Sequence, residues 1–579
     1  MNPPLLTRWG KSLDKHRPLP EYPRPQFCRA DWLNLNGIWD YAIHKQSDPF
    51  TAWQGEIVVP FSPEAQLSGV GKALHPDETL HYRRIFTLDE NFLKHITLLH
   101  FGAVDHACKI YLNGNEAGSH IGGFTPFTLD ISAHVHPGTN EIRLKVTDPT
   151  DTSHTSRGKQ SSKPGGIWYT AQSGIWQTVW LESLPARHLR GVRMEPDIDA
   201  GVLKITPSDS CIAIFQEQTF SLEANQVACI PVENMRLWSP EDPYLYDMAF
   251  ECGEDHVSSY FGMRKFSLGN DAHGTPRLML NNAPYFHNGL LDQGYWPDGL
   301  LTAPSDEALL HDIRACKALG FNMLRKHIKI EPLRWYYHCD REGMLVWQDM
   351  INGGSGYSFG VIGILPFLGV NLSDGPKNYA RFGRENAEGR AQYYKELGCM
   401  LDHLANCVSL AMWVPFNEGW GQFDANSAVE FIRARDTSRT IDHASGWHDQ
   451  GGGDCVSPHI YFTKLKAPSR QKWKARAFVL SEFGGYSHAV PGHVWNPGKV
   501  FGYRKFKTLD ALRAAYAKLF ARQVRPLIDE GLSAAVYTQV SDVEDEVNGL
   551  MTYDREVVKL GKMSRRRRRR RSATEGVKK

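Results

Sequence analysis

The sequence predicts two all-β sandwiches followed by a (β/α)8, or TIM, barrel. Three observations carry that reading. The chain has 579 residues, more than one hydrophobic core usually serves. Up to residue 267 it consists of short runs rich in β-branched and aromatic residues, separated by turn residues. From residue 268 the pattern changes to apolar strands interleaved with helical stretches.

Residues 1–183 are expected to form a jelly-roll sandwich. GIWDYAI, HYRRIFTL, HITLLHFGAV, KIYLNGNEAG, FTPFTLDIS and NEIRLKVTD are its strand-like runs. Turn residues at Asn113–Asn115 and Pro137–Asn140 punctuate them, at the spacing of a sandwich or jelly roll. A last strand falls near Thr178–Glu182. Residues 184–267 hold shorter runs (GVLKITPS, CIAIFQ, QTFSLE, YLYDMAF, SSYFGMRKFSL), which suit an immunoglobulin-like sandwich. WSPEDPY, Trp238–Tyr244, reads as a loop before a late strand of that unit.

Residues 268–563 supply eight strand candidates: YFHNGLL, FNMLRKH, MLVWQDM, LAMWVPFNE, RTIDHASG, VSPHIYF, AFVLSEFGG and AAVYTQVSD. Between the first two lies SDEALLHDIRACKALG, a helix with an acidic first turn that ends at Gly320. Eight such strands in about 290 residues make a (β/α)8 barrel. A doubly wound open sheet is the alternative, but no Gly-rich phosphate loop follows the first strand.

The formal charge of +2 conceals an uneven distribution. Residues 564–579 hold nine basic residues and one acidic one, leaving 57 basic against 63 acidic residues, net −6, in the body. A mildly acidic body has no general affinity for nucleic acid or anionic membrane. The seven-arginine run Arg565–Arg571 is therefore read as a tail without structure rather than a nucleic-acid arm. The ten cysteines form no CxxC pair and are read as free thiols of a reducing compartment, Cys108 and Cys229 lying in apolar runs. No apolar leader follows the first charges and no run has membrane-spanning length, so the chain as written is expected in the cytoplasm, or in the periplasm or outside the cell if an export signal is missing from it. No HxxxH or HExxH occurs, so no metal or other cofactor is expected. The acidic run Ser541–Gly549 is read as a solvated loop.

In such a barrel the catalytic side chains stand at the C-terminal ends of the strands. Glu418 ends the fourth and Glu482 the seventh, so the two carboxyl groups can face each other across the mouth. Glycosidic cleavage needs two carboxyl groups of different character. One is protonated and serves the leaving oxygen; the other is ionised and attacks the anomeric carbon, about 5–5.5 Å away in retaining enzymes. Two acids at that distance push their pKa values apart.

At these residues the chain resembles glycoside hydrolase family 2, over nearly its whole length. LNGIWDYAI, YRRIFTL, FTPF and SGIWQTVWLE look like that family's sugar-binding jelly roll. GFNMLRKH, REGMLVWQDM, WVPFNEGW and SEFGG look like its barrel. The resemblance implies Glu418 as acid/base, Glu482 as nucleophile, and Asn417 as partner of the sugar 2-hydroxyl. By position, Arg325 would orient and neutralise Glu482, and Tyr461, with His459 beside it, would hold that carboxylate. Asp292 and Asp349 would grip sugar hydroxyls, while Trp413, Trp420 and Trp447 would offer apolar platforms. Gln539, at the end of the eighth strand, stands where many members have tryptophan. The Asn-x-Lys signature with which the glucuronidase branch binds a sugar carboxylate is absent. The expected activity is retaining, exo-acting hydrolysis of a terminal β-galactoside-like sugar. Arabinosidase, glucuronidase and mannosidase activities stay open, as does a non-catalytic carbohydrate-binding role. The glycoside is the expected partner, with homo-oligomerisation left open.

Overall fold

Along the strand Gly138–Thr147, Ile142, Leu144 and Val146 are buried while Arg143 and Lys145 are exposed. This period of two recurs across the first unit and makes it a sandwich. The computed structural model describes residues 5–473 and 475–561. One antiparallel sheet orders its strands Gly55–Val59, Gly37–Lys45, Glu78–Leu88, Gly138–Thr147, Ala107–Leu112 and Asn115–Ile121. A second orders Trp32–Asn34, Val179–Leu184, Ile96–Phe101 and Phe127–Asp130. Trp39, Tyr82, Ile110, Leu99, Phe101 and Leu181 from the two sheets share one core. The tight turn between Ala107–Leu112 and Asn115–Ile121 puts Asn113 at φ 49° and Gly114 at φ 87°, where Asn-Gly is favoured.

The second sandwich pairs Val192–Asp197, Val202–Pro207 and Ala228–Pro231 in one sheet. Its other sheet runs Gln218–Leu222, Cys211–Phe215, Tyr246–Cys252 and Asp255–Phe261. Leu203, Ile205, Ala213, Phe250 and Val257 fill the space between. All ten cysteines are free, but Cys229 is exposed where its apolar run suggested burial. The strand alternates, and its neighbour Ile230 takes the inward face.

The barrel strands are β1 (His287–Asp292), β2 (Met323–Lys326), β3 (Leu345–Asp349), β4 (Leu410–Val414), β5 (Thr440–Ile441), β6 (Cys455–Val456 with His459–Ile460), β7 (Ala477–Gly484) and β8 (Leu532–Thr538). All eight expected runs form strands, paired in parallel in the order of the chain, with β8 joining β1. A parallel bridge between Gly446 and Pro458 links the β5 and β6 segments. The helices are α1 (Asp306–Ala318), α2 (Leu333–Glu342), α3 (Ala387–His403), α4 (Ala425–Arg433), α5 (Leu509–Leu519) and α6 (Arg525–Glu530). Helix α1 is capped by Ser305, whose hydroxyl accepts from the Ala308 amide at 3.1 Å, and Gly320 follows at φ 91°. No α-helix among the described residues lies between β5 and β6 or between β6 and β7. A small meander, Phe266–Asn270, Pro276–Leu280 and Ala283–Pro284, packs Leu278 and Leu280 against Met323, Met412, Val479 and Val536 of the barrel strands. It covers one end of the barrel and leaves the other for chemistry.

The first sandwich packs onto the barrel. Phe124, Tyr169 and Trp176 join the barrel core, and Gln177 Nε2 donates to the Ile330 carbonyl at 3.1 Å. The acidic run after β8 lies in this seam and is buried rather than solvated, because each acid has a partner. Lys559 Nζ lies 2.6 Å from Asp542, the Thr170 amide 2.9 Å from Glu544, Lys499 3.1 Å from Asp545, and the Tyr169 hydroxyl 2.5 Å from Glu546. No described helix is long and apolar enough to cross a membrane. The Arg565–Arg571 tail lies outside the described residues.

Candidate active site

Register brings the two glutamates together. His459 on β6 is the Cα partner of Glu482 on β7, and the Glu418 amide donates to the Ser445 carbonyl beyond β5 at 2.9 Å. Glu418 has a φ of 49°, rare for a side chain of its size, and the turn continues through Gly419 at φ 71°. Single oxygens of Glu418 and Glu482 and a ring nitrogen of His459 all lie within 4.8 Å of one another. His459 Nδ1 sits 2.7 Å from Glu418 Oε1 and 3.7 Å from Glu482 Oε1. Its Nε2 is 3.1 Å from the Ser445 hydroxyl, which donates onward to the Ser481 hydroxyl at 2.8 Å.

Arg325, fully enclosed at the end of β2, ties four groups together. Its Nε and Nη2 grip both oxygens of Asp349 at 2.9 and 3.1 Å. Nη2 also reaches Asn417 Oδ1 at 2.7 Å, and Nη1 reaches the Ser481 carbonyl at 3.1 Å and Glu482 Oε1 at 3.2 Å. The Tyr461 hydroxyl donates to the other oxygen of Glu482, and the Tyr461 ring stacks on Tyr503 with centroids 4.0 Å apart.

These surroundings push the two acids in opposite directions. Burial raises the Glu418 carboxyl above its ordinary value, only partly opposed by His459. Burial acts on Glu482 too, but His459 and Arg325, with the Tyr461 hydroxyl, outweigh it and bring that carboxyl below its ordinary value. One acid is set to keep a proton and the other to lose it.

Of the expected site residues, Glu418, Glu482, Asn417, Arg325, His459 and Tyr461 converge on one spot. Trp420 and Trp447 flank it: Trp420 stands 5.1 Å from Trp168 of the first sandwich and 6.2 Å from His327, and Trp447 stands 6.5 Å from His459. Four others are engaged otherwise than expected. Trp413 faces the helices and donates from Nε1 to Asp436 at 2.8 Å, so it is core and no platform. Asp349 has both oxygens engaged by Arg325, and His327 Nδ1 lies 2.6 Å from one of them, so it orients the arginine instead of a sugar hydroxyl. Asp292 accepts from Lys326 Nζ at 2.7 Å and from the Gly294 amide at 3.0 Å, inside an ion cluster with Glu331. Gln539 is enclosed, its carbonyl accepting from Gln293 at 2.7 Å and its amide donating to Asn548 at 2.8 Å.

Sequence reasoning missed His327, Tyr503 and Lys159. His327 stands two residues after Arg325 in the same strand-end motif, a signal that was there to use. Burial holds its imidazole well below the ordinary range, hence neutral, and its Nε2 has no partner among the described residues. The Asn417 amide nitrogen likewise has none. Lys159, 6% exposed, comes from the first sandwich, its ammonium 5.4 Å from the ring centroids of both Trp420 and Tyr169.

Comparison with known proteins bears on this arrangement. Residues 71–185 match the sugar binding domain of glycosyl hydrolases family 2, and residues 198–264 match a second domain described as glycosyl hydrolases family 2. A β-galactosidase of Halalkalibacterium halodurans is 24% identical over 380 residues, covering 55% of this chain and 35% of the relative. A putative β-glucuronidase of Formosa agariphila is 27% identical over 290 residues, covering 45% and 33%. The chain thus matches about a third of the length of these relatives. A β-glucuronidase of an uncultured Clostridium sp. superposes with a TM-score of 0.71 at 17% identity, over 93% of this chain and 98% of that one. The two matched domains follow one another in chain order ahead of the barrel, and in both of them the chain is similar to glycosyl hydrolases family 2.

Proposed function

We propose that this protein is a retaining, exo-acting glycosidase that removes a terminal β-galactoside-like sugar. The observation that carries the reading is the pair Glu418 and Glu482, with oxygens within 4.8 Å across a strand-end mouth and pKa values displaced in opposite senses. That closeness suits the double-displacement class, whose carboxyl groups stand about 5–5.5 Å apart, better than the wider spacing of inverting enzymes. In the first step Glu482 attacks the anomeric carbon as the protonated Glu418 gives its proton to the leaving oxygen. In the second, Glu418 takes a proton from water, the water oxygen bonds to the anomeric carbon, and the Glu482 ester breaks. Arg325 and Tyr461 hold the nucleophile's oxygens in line. The Asn417 amide, its oxygen fixed by Arg325 and its nitrogen without a partner among the described residues, is poised for the sugar 2-hydroxyl.

The test is covalent trapping. A 2-deoxy-2-fluoro glycoside with an activated leaving group should leave its sugar on Glu482, located by mass spectrometry of a digest. Glu418→Gln should lower kcat on poor leaving groups by about 10²–10⁴-fold and accumulate the glycosyl-enzyme, with azide restoring part of the turnover. Sugar attached to another carboxylate, or a product of inverted configuration, would overturn the proposal.

A further inference from the structure

The first sandwich places one ammonium beside the mouth that no described residue neutralises. Residues 156–160 are pinned to the barrel: the Arg157 and Gly158 amides both donate to the Asn352 carbonyl, at 3.0 and 3.1 Å, and Ser156 bridges to Gly353. Arg157 itself donates to the Gly354 carbonyl. Gly158 sits at φ 65°, where a Cβ would stand 3.1 Å from the Ile328 carbonyl, so the loop lies close against the segment that follows β2. Lys159, the next residue, is therefore held in one place, with only 6% of its surface exposed. Its ammonium makes no hydrogen bond or ion pair with any described residue. Its neighbours are the faces of Trp420 and Tyr169 and, through its field, His327 and Glu418.

A buried cation without a counter-ion is costly, and aromatic faces offset that only in part. The other charges of the site are already satisfied among themselves, since Arg325 pairs with both Asp349 and Glu482. Among the described residues His327 Nε2 and Asn417 Nδ2 also lack partners; His327 feels the field of Lys159, and Asn417 precedes Glu418 in the chain. The unsatisfied groups therefore amount to one positive charge and two neutral hydrogen-bonding atoms.

We propose that Lys159 is a specificity residue that binds an anionic substituent, a carboxylate or sulfate ester, on the sugar hydrolysed at this site. The inference rests on the glycosidase reading above and narrows its substrate to an acidic, galactose-like sugar. The sandwich thereby supplies a charge that the barrel motifs lack.

Nitrophenyl β-D-galacturonide, β-D-glucuronide, β-D-galactoside 6-sulfate and plain β-D-galactoside test it with wild type, K159Q and K159R. The expected result is a kcat/KM on an acidic glycoside above that on the neutral galactoside. K159Q should lower that ratio by at least about 30-fold, the loss expected for one charged partner in a buried pair, and K159R should keep most of it. The uronide and sulfate arms show which anion is taken. Galacturonate or galactose 6-sulfate should raise the Tm of wild type more than galactose does, and K159Q should lose the difference. That readout does not depend on turnover, so a protein that binds the acid but hydrolyses nothing would refute the glycosidase reading and keep this one. A wild type that prefers the neutral sugar, or a K159Q whose ratio and Tm differences are unchanged, would overturn the role of Lys159.

Discussion

Glu418 holds its carboxyl in place at a conformational cost. A φ of 49° at a residue with a long side chain costs about 1–3 kcal/mol, and glycine takes it without penalty. Glu418→Gly should therefore raise the Tm while abolishing turnover; a lowered Tm would show that the conformation carries no strain. Arg325→Gln should act through its neighbour. Glu482 lies below the ordinary carboxylate range with the guanidinium as one cause, and attack requires its ionised form, so activity is lost as pH falls through its pKa. Without the positive charge that pKa rises, and the acidic limb of kcat/KM should move to higher pH. An unmoved limb would remove Arg325 from this role. The glutamate pair was legible because two facing strands, the fourth and the seventh, each end in a glutamate beside aromatic residues, in motifs that resemble glycoside hydrolase family 2. Trp413 was not, since a tryptophan in an apolar strand looks the same whether it faces the mouth or the helices. Only the position of Asp436, its indole partner, tells the two apart.

At the scale of elements, the eight strands and helix α1 follow from apolar runs and capping chemistry, and their pairing follows from chain order. The loops obey no such period. The run Ser541–Gly549 carries four acids and reads as a solvated loop, yet long-range partners bury it in the seam with the first sandwich. Lys159 was equally hidden, because nothing in SRGKQSS separates it from an ordinary polar loop. Lys559, fully enclosed against Asp542, is a sharp test of that buried loop. Burial raises the Asp542 carboxyl to about 6 even with the lysine beside it. Lys559→Met should cost about 3–5 kcal/mol by leaving one charge without its partner. A folded pKa above the unfolded value makes stability fall as pH rises, and removing the lysine raises the folded pKa further. The loss measured by denaturant unfolding should accordingly be smaller at pH 5 than at pH 8. An equal loss at both would mean that Asp542 is not the group left uncompensated.

Over the whole molecule, the mouth is assembled from two units that fold around separate cores. The barrel strands hold the two glutamates and their arginine, while the first sandwich lends Trp168, Tyr169 and Lys159 to one wall. The meander Phe266–Leu280 packs against barrel residues apart from these groups, so stability and chemistry draw on different parts of one ring of strands.

The enclosure of Arg325 has a consequence for behaviour in brine. Mobile ions shield charges over about 3 Å at 1 M salt, but only where they can approach, and a guanidinium with no exposed surface admits none. The attraction between Arg325 and Glu482 should therefore survive molar sodium chloride, leaving kcat nearly flat. Lys159 keeps 6% of its surface exposed, so small anions of the solvent should compete with the substrate for it. KM for an acidic glycoside should thus climb with salt while KM for a neutral one stays level. A kcat that falls steeply with ionic strength would mean that solvent ions reach the arginine after all.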